Sequence, residues 1–402
     1  MFLPRQKFLQ RLQDVELFQR TLAEINAIRD GQETAILKVY EQKGIRRSVV
    51  SVGEEEVQQG LALTAGRDLE ALTELKKRCQ RLARLQKDAL RPHLVLDDNE
   101  NASSLVQFRP LETAGIYIPD RMPSSLILYC SLAQEAGVEH IMLALPPQRD
   151  GTITPSLLAA ASFFSVSIIA VGGKSAFPAL AFGLGGHLPN KLYGPCSFYV
   201  DYTKQVLATF YKIPADLPAG PSELVLFVDE ERDVQQVAYD VRAQMEHGVD
   251  SFCFLISTQG SIITKLRSAL LDLSSQVEYI LAADYAEAAD SINSIAPEIL
   301  ELFLPNPDEL TCRLKHAANV YVNMPSPLGD YCYCGKGCSD PTYGTAAGLT
   351  GVTIESFYQG GCISTGLKRP GSPEDWLTRL AELEGFPNHK RAIQAYLSLA
   401  VE

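Results

Sequence analysis

A glutamine and a histidine spaced three residues apart are the first candidates for chemistry. Gln244 and His247 lie in the segment VAYDVRAQMEHG, which predicts a helix that ends at Gly248. Because residues i and i+3 share a helix face, the amide oxygen of Gln244 and a ring nitrogen of His247 could both reach one cation. The alternative is structural, since a single histidine at a helix end is more often a cap or a core residue.

Two further side chains could complete a metal site. Asp330 follows Gly329 where a predicted strand runs into a loop, and His389 lies in a predicted loop before the last helix. One amide oxygen, one carboxylate and two imidazoles together suit zinc or a similar divalent ion. The spacing does not show that the four residues converge, so the metal site is a hypothesis at this stage.

A carboxylate and a hydroxyl follow prolines at two other places. Glu298, in Ala-Pro-Glu, is expected just inside a helix start, because Pro is favoured at the first helical position. There it would be a general base that activates water, or it would only complement the helix dipole. Ser222 belongs to Pro-Ala-Gly-Pro-Ser-Glu (218–223), a rigid segment between two lobes that presents one hydroxyl and one carboxylate, or is simply a hinge.

Glycine-rich turns and a group of cysteines give weaker signals. The turns at 172–175 and 183–186 follow predicted strands, where cofactors bind in open α/β sheets, but neither matches the G-x-G-x-x-G dinucleotide motif. Cys332, Cys334 and Cys338 form C-x-C-x3-C without a partner C-x-x-C. They are interpreted as small loop residues, one of which lines a site, more readily than as structural zinc ligands.

Composition excludes several classes of function. The 402 residues include 36 Lys and Arg against 48 Asp and Glu, and this net charge of -12 disfavours nucleic acid as a partner. The apolar run at 156–171 is short for a bilayer and interrupted by serines, and no secretory signal is visible. Nine cysteines without an export signal predict reduced thiols. We therefore expect a cytoplasmic protein with neither a membrane nor a nucleic-acid partner.

Two series of short apolar runs predict the elements that position these residues. The runs alternate with segments of helix length, which is typical of βαβ units on parallel sheets. We expect an α/β fold with two Rossmann-like parallel-sheet lobes and helical extensions at both ends. The expected parts are an N-terminal helical arm (1–20), a first lobe with the metal site (21–114 plus 223–350), an inserted second lobe (115–222) and a C-terminal arm (351–402).

The chain resembles histidinol dehydrogenase in ten blocks that occur in the same order from about residue 20 to residue 400. These are GIYIP (115–119), VGG (171–173), AFG (181–183), GP (194–195), PAGPSE (218–223), Q-x-x-HG (244–248), IAPE (295–298), GDY (329–331), PTYG (341–344) and EG-x-x-x-H (384–389). The resemblance implies a zinc enzyme that oxidises an amino alcohol to an amino acid in two NAD-linked steps. It also implies an intertwined homodimer.

The resemblance assigns roles residue by residue. The implied zinc ligands are Gln244, His247, Asp330 and His389. The partner subunit would donate His389 and the substrate-contacting Glu384. Ser222 and Cys338 fall at substrate-contacting positions, the latter after a one-residue insertion, and Glu298 matches the glutamate that activates water. The cofactor side, in the inserted lobe, would include Tyr117, Pro119, Ser175 and Ser197.

Two departures from the family pattern keep the function open. Ile299 stands where the family has a histidine that takes the alcohol proton, and losing such a base costs about 10²–10⁴-fold in rate. After Pro119, Asp120-Arg121-Met122 replaces a Gly-Gly loop, so the Asp120 carboxylate is expected near the pyrophosphate unless Arg121 offsets it. The hypotheses are an NAD-linked dehydrogenase of an alcohol other than histidinol, a non-redox zinc enzyme, and a catalytically silent paralogue that keeps the metal site.

Overall fold

The structure is a computed structural model that describes residues 13–90, 93–97, 103–218, 220–229, 234–248, 250–332, 342–365 and 375–399. The chain divides into two compact units, one from Met1–Lys87 plus Leu111–Phe357 and one from Asp88–Pro110 plus Tyr358–Glu402. Both parallel sheets lie in the first unit. The predicted α/β class with parallel sheets and helical ends is confirmed. None of the described helices is long and apolar enough to cross a membrane.

Among the described residues, three helices and an antiparallel strand pair precede the parallel sheets. They are α1 (Val15–Lys43), α2 (Glu54–Leu63), α3 (Gly66–Ala89), β1 (His93–Asp97) and β2 (Ser103–Pro110). The Asp14 side chain caps α1 by accepting the Leu17 N–H at 3.0 Å, and Gly44 ends it in the left-handed conformation. β1 and β2 belong to the second unit.

The first parallel sheet has four strands in the order β5-β4-β3-β6. Its elements are β3 (Thr113–Tyr117), α4 (Pro123–Ala136), β4 (His140–Ala144), α5 (Pro155–Ala161), β5 (Val166–Ile169), α6 (Ala176–Ala181), β6 (Lys191–Tyr193) and α7 (Phe198–Phe210). Every residue of β3 is buried, as expected for a parallel strand covered on both faces. The strand order reverses between β3 and β6, which makes that position the topological switch point.

The N-terminal helices pack on this first sheet. Ile25, Ile36 and Tyr40 of α1 share one core with Tyr117 and Met142. The segment after α1 also adds to the edge of β5, through the Ala170 N–H, which donates to the Val50 carbonyl at 2.7 Å. We expected residues 21–114 to complete the lobe of the second sheet, and for α1 that is wrong. The reason is that the apolar face of α1 packs against the buried side chains of the first sheet.

The second parallel sheet has five strands in the order β11-β10-β7-β8-β9. Its elements are β7 (Glu223–Val228), α8 (Val234–Met245), β8 (Phe252–Ser257), α9 (Gly260–Ala269), β9 (Val277–Leu281), α10 (Tyr285–Ile295), β10 (Ile299–Phe303), α11 (Asp308–Thr311), β11 (Asn319–Val322) and α12 (Ser326–Cys332). Leu224 and Leu226 face one core, whereas Val225 and Phe227 face the other. Helical layers therefore cover both faces of this sheet.

The second unit is small and has little core of its own. β12 (Tyr358–Thr365) pairs antiparallel with β2, and α13 (Asp375–Leu383) and α14 (Pro387–Leu399) follow. Among its described residues only Ala381 is buried. Trp376 is 63% exposed and Leu383 is 71% exposed. The unit therefore presents an apolar surface that its own residues leave open.

Candidate active site

Four expected cofactor-side residues lie at the carboxyl edge of the first sheet. Tyr117 is the last residue of β3, and Pro119 follows two residues later. Ser175 directly precedes α6, and Ser197 directly precedes α7. In open parallel sheets, ligands bind outside the carboxyl ends of the strands at the switch point. The structure therefore brings the four residues to the edge where a nucleotide would bind.

The backbone is closely packed at the switch point. Gly194, just after β6, has a φ of +140°, and a Cβ there would lie 2.0 Å from the Tyr117 carbonyl oxygen, so only glycine fits. The Gly173 N–H donates a hydrogen bond to the Tyr117 hydroxyl at 3.4 Å. Burial raises the pKa of Tyr117 to about 12. A neutral Tyr117 thus contacts the turns that follow β5 and β6, the two outer strands of this sheet.

The departure at Asp120 is compensated within the same lobe. Asp120 Oδ1 accepts a hydrogen bond from the Thr154 hydroxyl at 2.5 Å. Its Oδ2 lies 3.6 Å from Nε of Arg121, whose φ is +60°. Both carboxylate oxygens of Asp120 thus have protein partners, although the Arg121 side chain is 85% exposed.

A buried lysine lies beneath these turns, and sequence analysis missed it. Lys204 of α7 is 0% exposed. Its Nζ donates to the Leu217 carbonyl at 2.9 Å, lies 3.3 Å from Asp201 Oδ1 and is hydrogen-bonded to Asp216 Oδ1. Burial lowers the pKa of Lys204, but Asp216, Cys196 and Asp201 together more than reverse this, so the pKa is raised. The only signal in the sequence was a lysine in a largely apolar helix whose one other charged residue is Asp201.

The Asp216 carboxylate joins this lysine to the switch-point turn. Its Oδ2 accepts the Gly194 N–H at 2.8 Å and the Tyr129 hydroxyl at 3.3 Å. The segment that leads from the first sheet to β7 is thereby fixed to the cofactor edge at Asp216. Ser222 lies only six residues further along the chain.

Gln244 and His247 lie at the end of α8, as predicted. The helix ends at Met245, and the His247 N–H donates to the Gln244 carbonyl at 3.2 Å in the following turn. Ser222 Oγ and His247 Nδ1 are 2.8 Å apart, so two predicted site residues are in contact. With Nδ1 in this contact, a metal would bind at Nε2.

The Gln244 side chain fits the role of a metal ligand. It is buried, and its Nε2 donates a hydrogen bond to Ser326 Oγ at 2.7 Å. Its Oε1 is also buried and has no hydrogen-bond partner among the described residues. Leaving a buried amide oxygen unpaired costs folding free energy, so a bound group that accepts the lone pair of Oε1 would stabilise the site. A divalent cation satisfies that requirement.

Asp330 lies within α12 and not in a strand-to-loop exit, which corrects the expectation. Ser326-Pro327 begins the helix, and Pro is favoured in a first turn, a signal that the sequence analysis overlooked. A Cβ at Gly329 would lie 2.0 Å from a ring carbon of Tyr321, so glycine lets α12 approach β11 closely. α12 also packs on α8. The helices that carry Gln244 and Asp330 are therefore neighbours.

Glu298 precedes a strand, so the predicted helix start is wrong. α10 ends at Ile295 and is capped by Ala296, whose φ is +51°. The run Ile299–Phe303 after Glu298 forms β10, between β11 and β7 of the second sheet. Pro297 thus follows a helix that it cannot continue. Glu298 Oε2 accepts the Glu223 N–H at 3.1 Å. Glu298 and Ser222 therefore share the amino edge of the second sheet.

The remaining predicted residues lie outside this edge or outside the described residues. His389 is in the first turn of α14, not in a loop, because Pro387 begins that helix. Glu384 lies in the turn between α13 and α14, and both side chains are exposed members of the second unit. Cys338 lies outside the described residues. Within the described part of the chain, no three His, Cys, Asp or Glu side chains form a metal cluster.

The fold defines a two-sheet α/β protein, with the candidate cofactor-side residues at the carboxyl edge of one sheet and the candidate residues Gln244 and His247 beside the other. The histidinol dehydrogenase family profile matches residues 10–397. The histidinol dehydrogenase of Geobacillus kaustophilus is 30% identical over 400 residues, covering 92% of this chain and 91% of the relative. That of Bacillus cereus is 31% identical over 409 residues, covering 94% and 92%.

A solved structure agrees with these sequence matches. The crystal structure of histidinol dehydrogenase from Elizabethkingia anophelis superposes with a TM-score of 0.87 at 25% identity, covering 96% of this chain and 93% of that one. The chain belongs to the histidinol dehydrogenase family. The family consists of NAD-linked oxidoreductases that in general bind zinc.

Proposed function

We propose that this protein is a zinc-dependent, NAD-linked dehydrogenase of an amino alcohol or a related alcohol, with low activity on histidinol itself. The observation that carries the proposal is the buried, unpartnered Oε1 of Gln244, one helical turn from His247, which contacts Ser222. An amide oxygen and an imidazole at one helix end are two donors of a zinc site. Membership of the family supports the remaining two donors.

The residues divide into three roles. Gln244, His247, Asp330 and His389 hold the zinc ion. If bound there, zinc would supply Lewis-acid polarisation of a substrate oxygen, and NAD would supply a hydride acceptor. Tyr117, Pro119, Ser175 and Ser197 line the cofactor edge of the first sheet, and Ser222 with Glu384 and Cys338 binds substrate.

Glu298 is the proton acceptor of this proposal. Ile299, at the family's histidine position, is 2% exposed and packs in the apolar core with Leu224 and Tyr321. It therefore offers the site neither a base nor a polar contact. Glu298 is half-buried at the amino edge of the sheet, and its Oε2 is held by the Glu223 N–H. A carboxylate so held can take a proton from an alcohol or from water.

A second copy of this chain completes the site. The second unit leaves Trp376, Leu383 and Phe386 exposed, and large apolar side chains of this kind mark interaction surfaces. We propose that these residues are covered in a homodimer, which donates Glu384 and His389 to the site of the other subunit. The protein should then sediment as a dimer, and a monomer by analytical ultracentrifugation would contradict this arrangement.

A second candidate function is a non-redox zinc enzyme, or a silent paralogue that retains the metal. Two observations favour it, namely the buried Ile299 in place of a base and the Asp120-Arg121 loop at the cofactor edge. In that case Glu298 and the metal would activate water or polarise a carbonyl group without hydride transfer. The two candidates differ in whether NAD binds.

The test is a calorimetric titration of NAD into zinc-loaded protein, followed by a screen of amino alcohols for NADH formation. Micromolar to low-millimolar binding with turnover of one substrate class supports the dehydrogenase. Absence of both binding and turnover overturns it and leaves the non-redox candidate.

The metal assignment is tested by measuring how many metal ions bind per chain. His247→Ala should lower this number to well below one. The control His187→Ala removes an exposed histidine that stacks on His140 in the inserted lobe (115–222), and it should leave the metal content unchanged. Full metal content in His247→Ala would remove that residue from the site.

A further inference from the structure

We propose that Ser326 and Glu301 are positioning residues that hold the Gln244 side-chain amide with its oxygen toward the bound cation. The inference rests on the proposed zinc site and deepens it, since neither residue is among the predicted ligands. It follows from a chain of two hydrogen bonds in the interior. Gln244 Nε2 donates to Ser326 Oγ at 2.7 Å, and the Ser326 N–H donates to Glu301 Oε1 at 2.6 Å.

All three residues are buried, so water does not compete for these bonds. Glu301 and Ser326 are both 0% exposed, and Gln244 is 1% exposed. They come from three different elements: Glu301 from the central strand β10, Ser326 from the start of α12, and Gln244 from the last turn of α8. The chain of bonds therefore joins the two helices that carry Gln244 and Asp330 to the sheet.

The orientation of a glutamine amide matters at a metal site because its two ends differ only in hydrogen-bonding capacity. The oxygen can ligate a cation, whereas the NH₂ group can only donate hydrogen bonds. Ser326 Oγ accepts from the nitrogen, which leaves Oε1 as the buried atom without a partner among the described residues. Removing this acceptor would let the amide rotate in the metal-free protein, so that binding would first have to turn the oxygen toward the cation.

Glu301 acts on Gln244 indirectly, through Ser326. Its carboxylate fixes the backbone of Ser326 and thereby the place of the Ser326 hydroxyl. A glutamine at 301 retains an oxygen that can accept the Ser326 N–H, whereas a leucine of similar size does not. Outer partners of metal ligands commonly contribute 10–100-fold to metal affinity, so an effect of about that size is expected here.

The experiment measures zinc affinity by competition with a chelating dye, using purified full-length protein, with a thermal melt of each metal-free variant. Ser326→Ala should weaken zinc binding about 10–100-fold, while Glu301→Gln should stay within about threefold and Glu301→Leu should resemble Ser326→Ala. The control is Ser131→Ala, which removes a buried hydroxyl in the inserted lobe (115–222) and should not change zinc affinity.

A variant cycle separates positioning from general destabilisation. If Ser326 acts through Gln244, the serine change should have no further effect in a Gln244→Ala background. An unchanged affinity in Ser326→Ala, or an equal loss in both backgrounds, would overturn the inference and leave the zinc site intact. Wild-type protein that binds no zinc would instead overturn the proposed function, and this inference with it.

Discussion

Replacement of Lys204 by methionine is expected to destabilise the protein strongly, because it leaves buried carboxylates without their cation. The change keeps most of the side-chain volume but removes the ion pairs with Asp216 and Asp201 and the hydrogen bond to the Leu217 carbonyl. Breaking a buried pair by removing one partner typically costs about 3–5 kcal/mol. With an unfolding entropy of about 2.1 cal/mol/K per residue, this corresponds to a fall in Tm of about 4–6 °C.

The effect should depend on pH in a defined direction. The raised pKa of Lys204 means that its contribution is complete below the unfolded pKa of about 10.4 and is lost only as pH rises through the folded value. In Lys204→Met the charged Asp216 carboxylate would be buried without its cation. Stability of the variant should then fall as pH rises above about 4. The difference from wild type should therefore be larger at pH 8 than at pH 5.

Differential scanning calorimetry of the full chain at pH 5 and pH 8 checks this reasoning. Lys204→Met/Asp216→Asn should recover part of the lost stability, because it no longer buries the Asp216 charge unpaired. Lys38→Met, on the exposed face of α1, is the matched control and should shift Tm by less than about 1 °C. A Tm shift of less than about 1 °C for Lys204→Met, or a double variant less stable than Lys204→Met, would refute the argument.

Three further substitutions test other contacts. Burial raises the pKa of Asp240 to about 6, so the stability of the protein falls as pH rises from about 4 to 6. In urea denaturation, Asp240→Asn should therefore raise the unfolding free energy by about 2 kcal/mol at pH 8 but leave it unchanged at pH 4. Gly194→Ala places a Cβ 2.0 Å from a carbonyl oxygen at the switch point and should weaken NAD binding about tenfold by calorimetry. Gly329→Ala places a Cβ 2.0 Å from a ring carbon of Tyr321 and should weaken zinc binding about tenfold. The control Gly53→Ala, where a Cβ meets open space, should leave zinc affinity unchanged. Equal zinc affinities of the two variants would contradict the close packing of α12.

Local patterns in the chain were enough to predict the class of fold and the helix at whose end Gln244 lies. Short apolar runs predicted β3, β4 and β5 and most strands of the second sheet, because parallel strands buried on both faces read as continuous apolar segments. The i, i+3 spacing of Gln244 and His247 predicted their common position, because a helix places such residues on one face. Motif order predicted the family, which the comparisons confirm.

Elements with mixed local signals were predicted less well. β10 was missed because Pro297-Glu298 also fits a helix start, and only the pairing with β7 and β11 decides for a strand. The helical positions of Asp330 and His389 depend on Ser326-Pro327 and Pro387, which are weak signals on their own.

Tertiary structure alone decided which distant residues meet. Nothing in the chain's periodicity specifies that α1 packs on the first sheet, that Lys204 binds Asp216, or that Ser326 joins Gln244 to Glu301. Periodicity records which face of an element is buried, but not which partner covers it. That choice depends on the summed fit of side chains far apart in the sequence, and here it determines how the candidate metal ligand Gln244 is oriented.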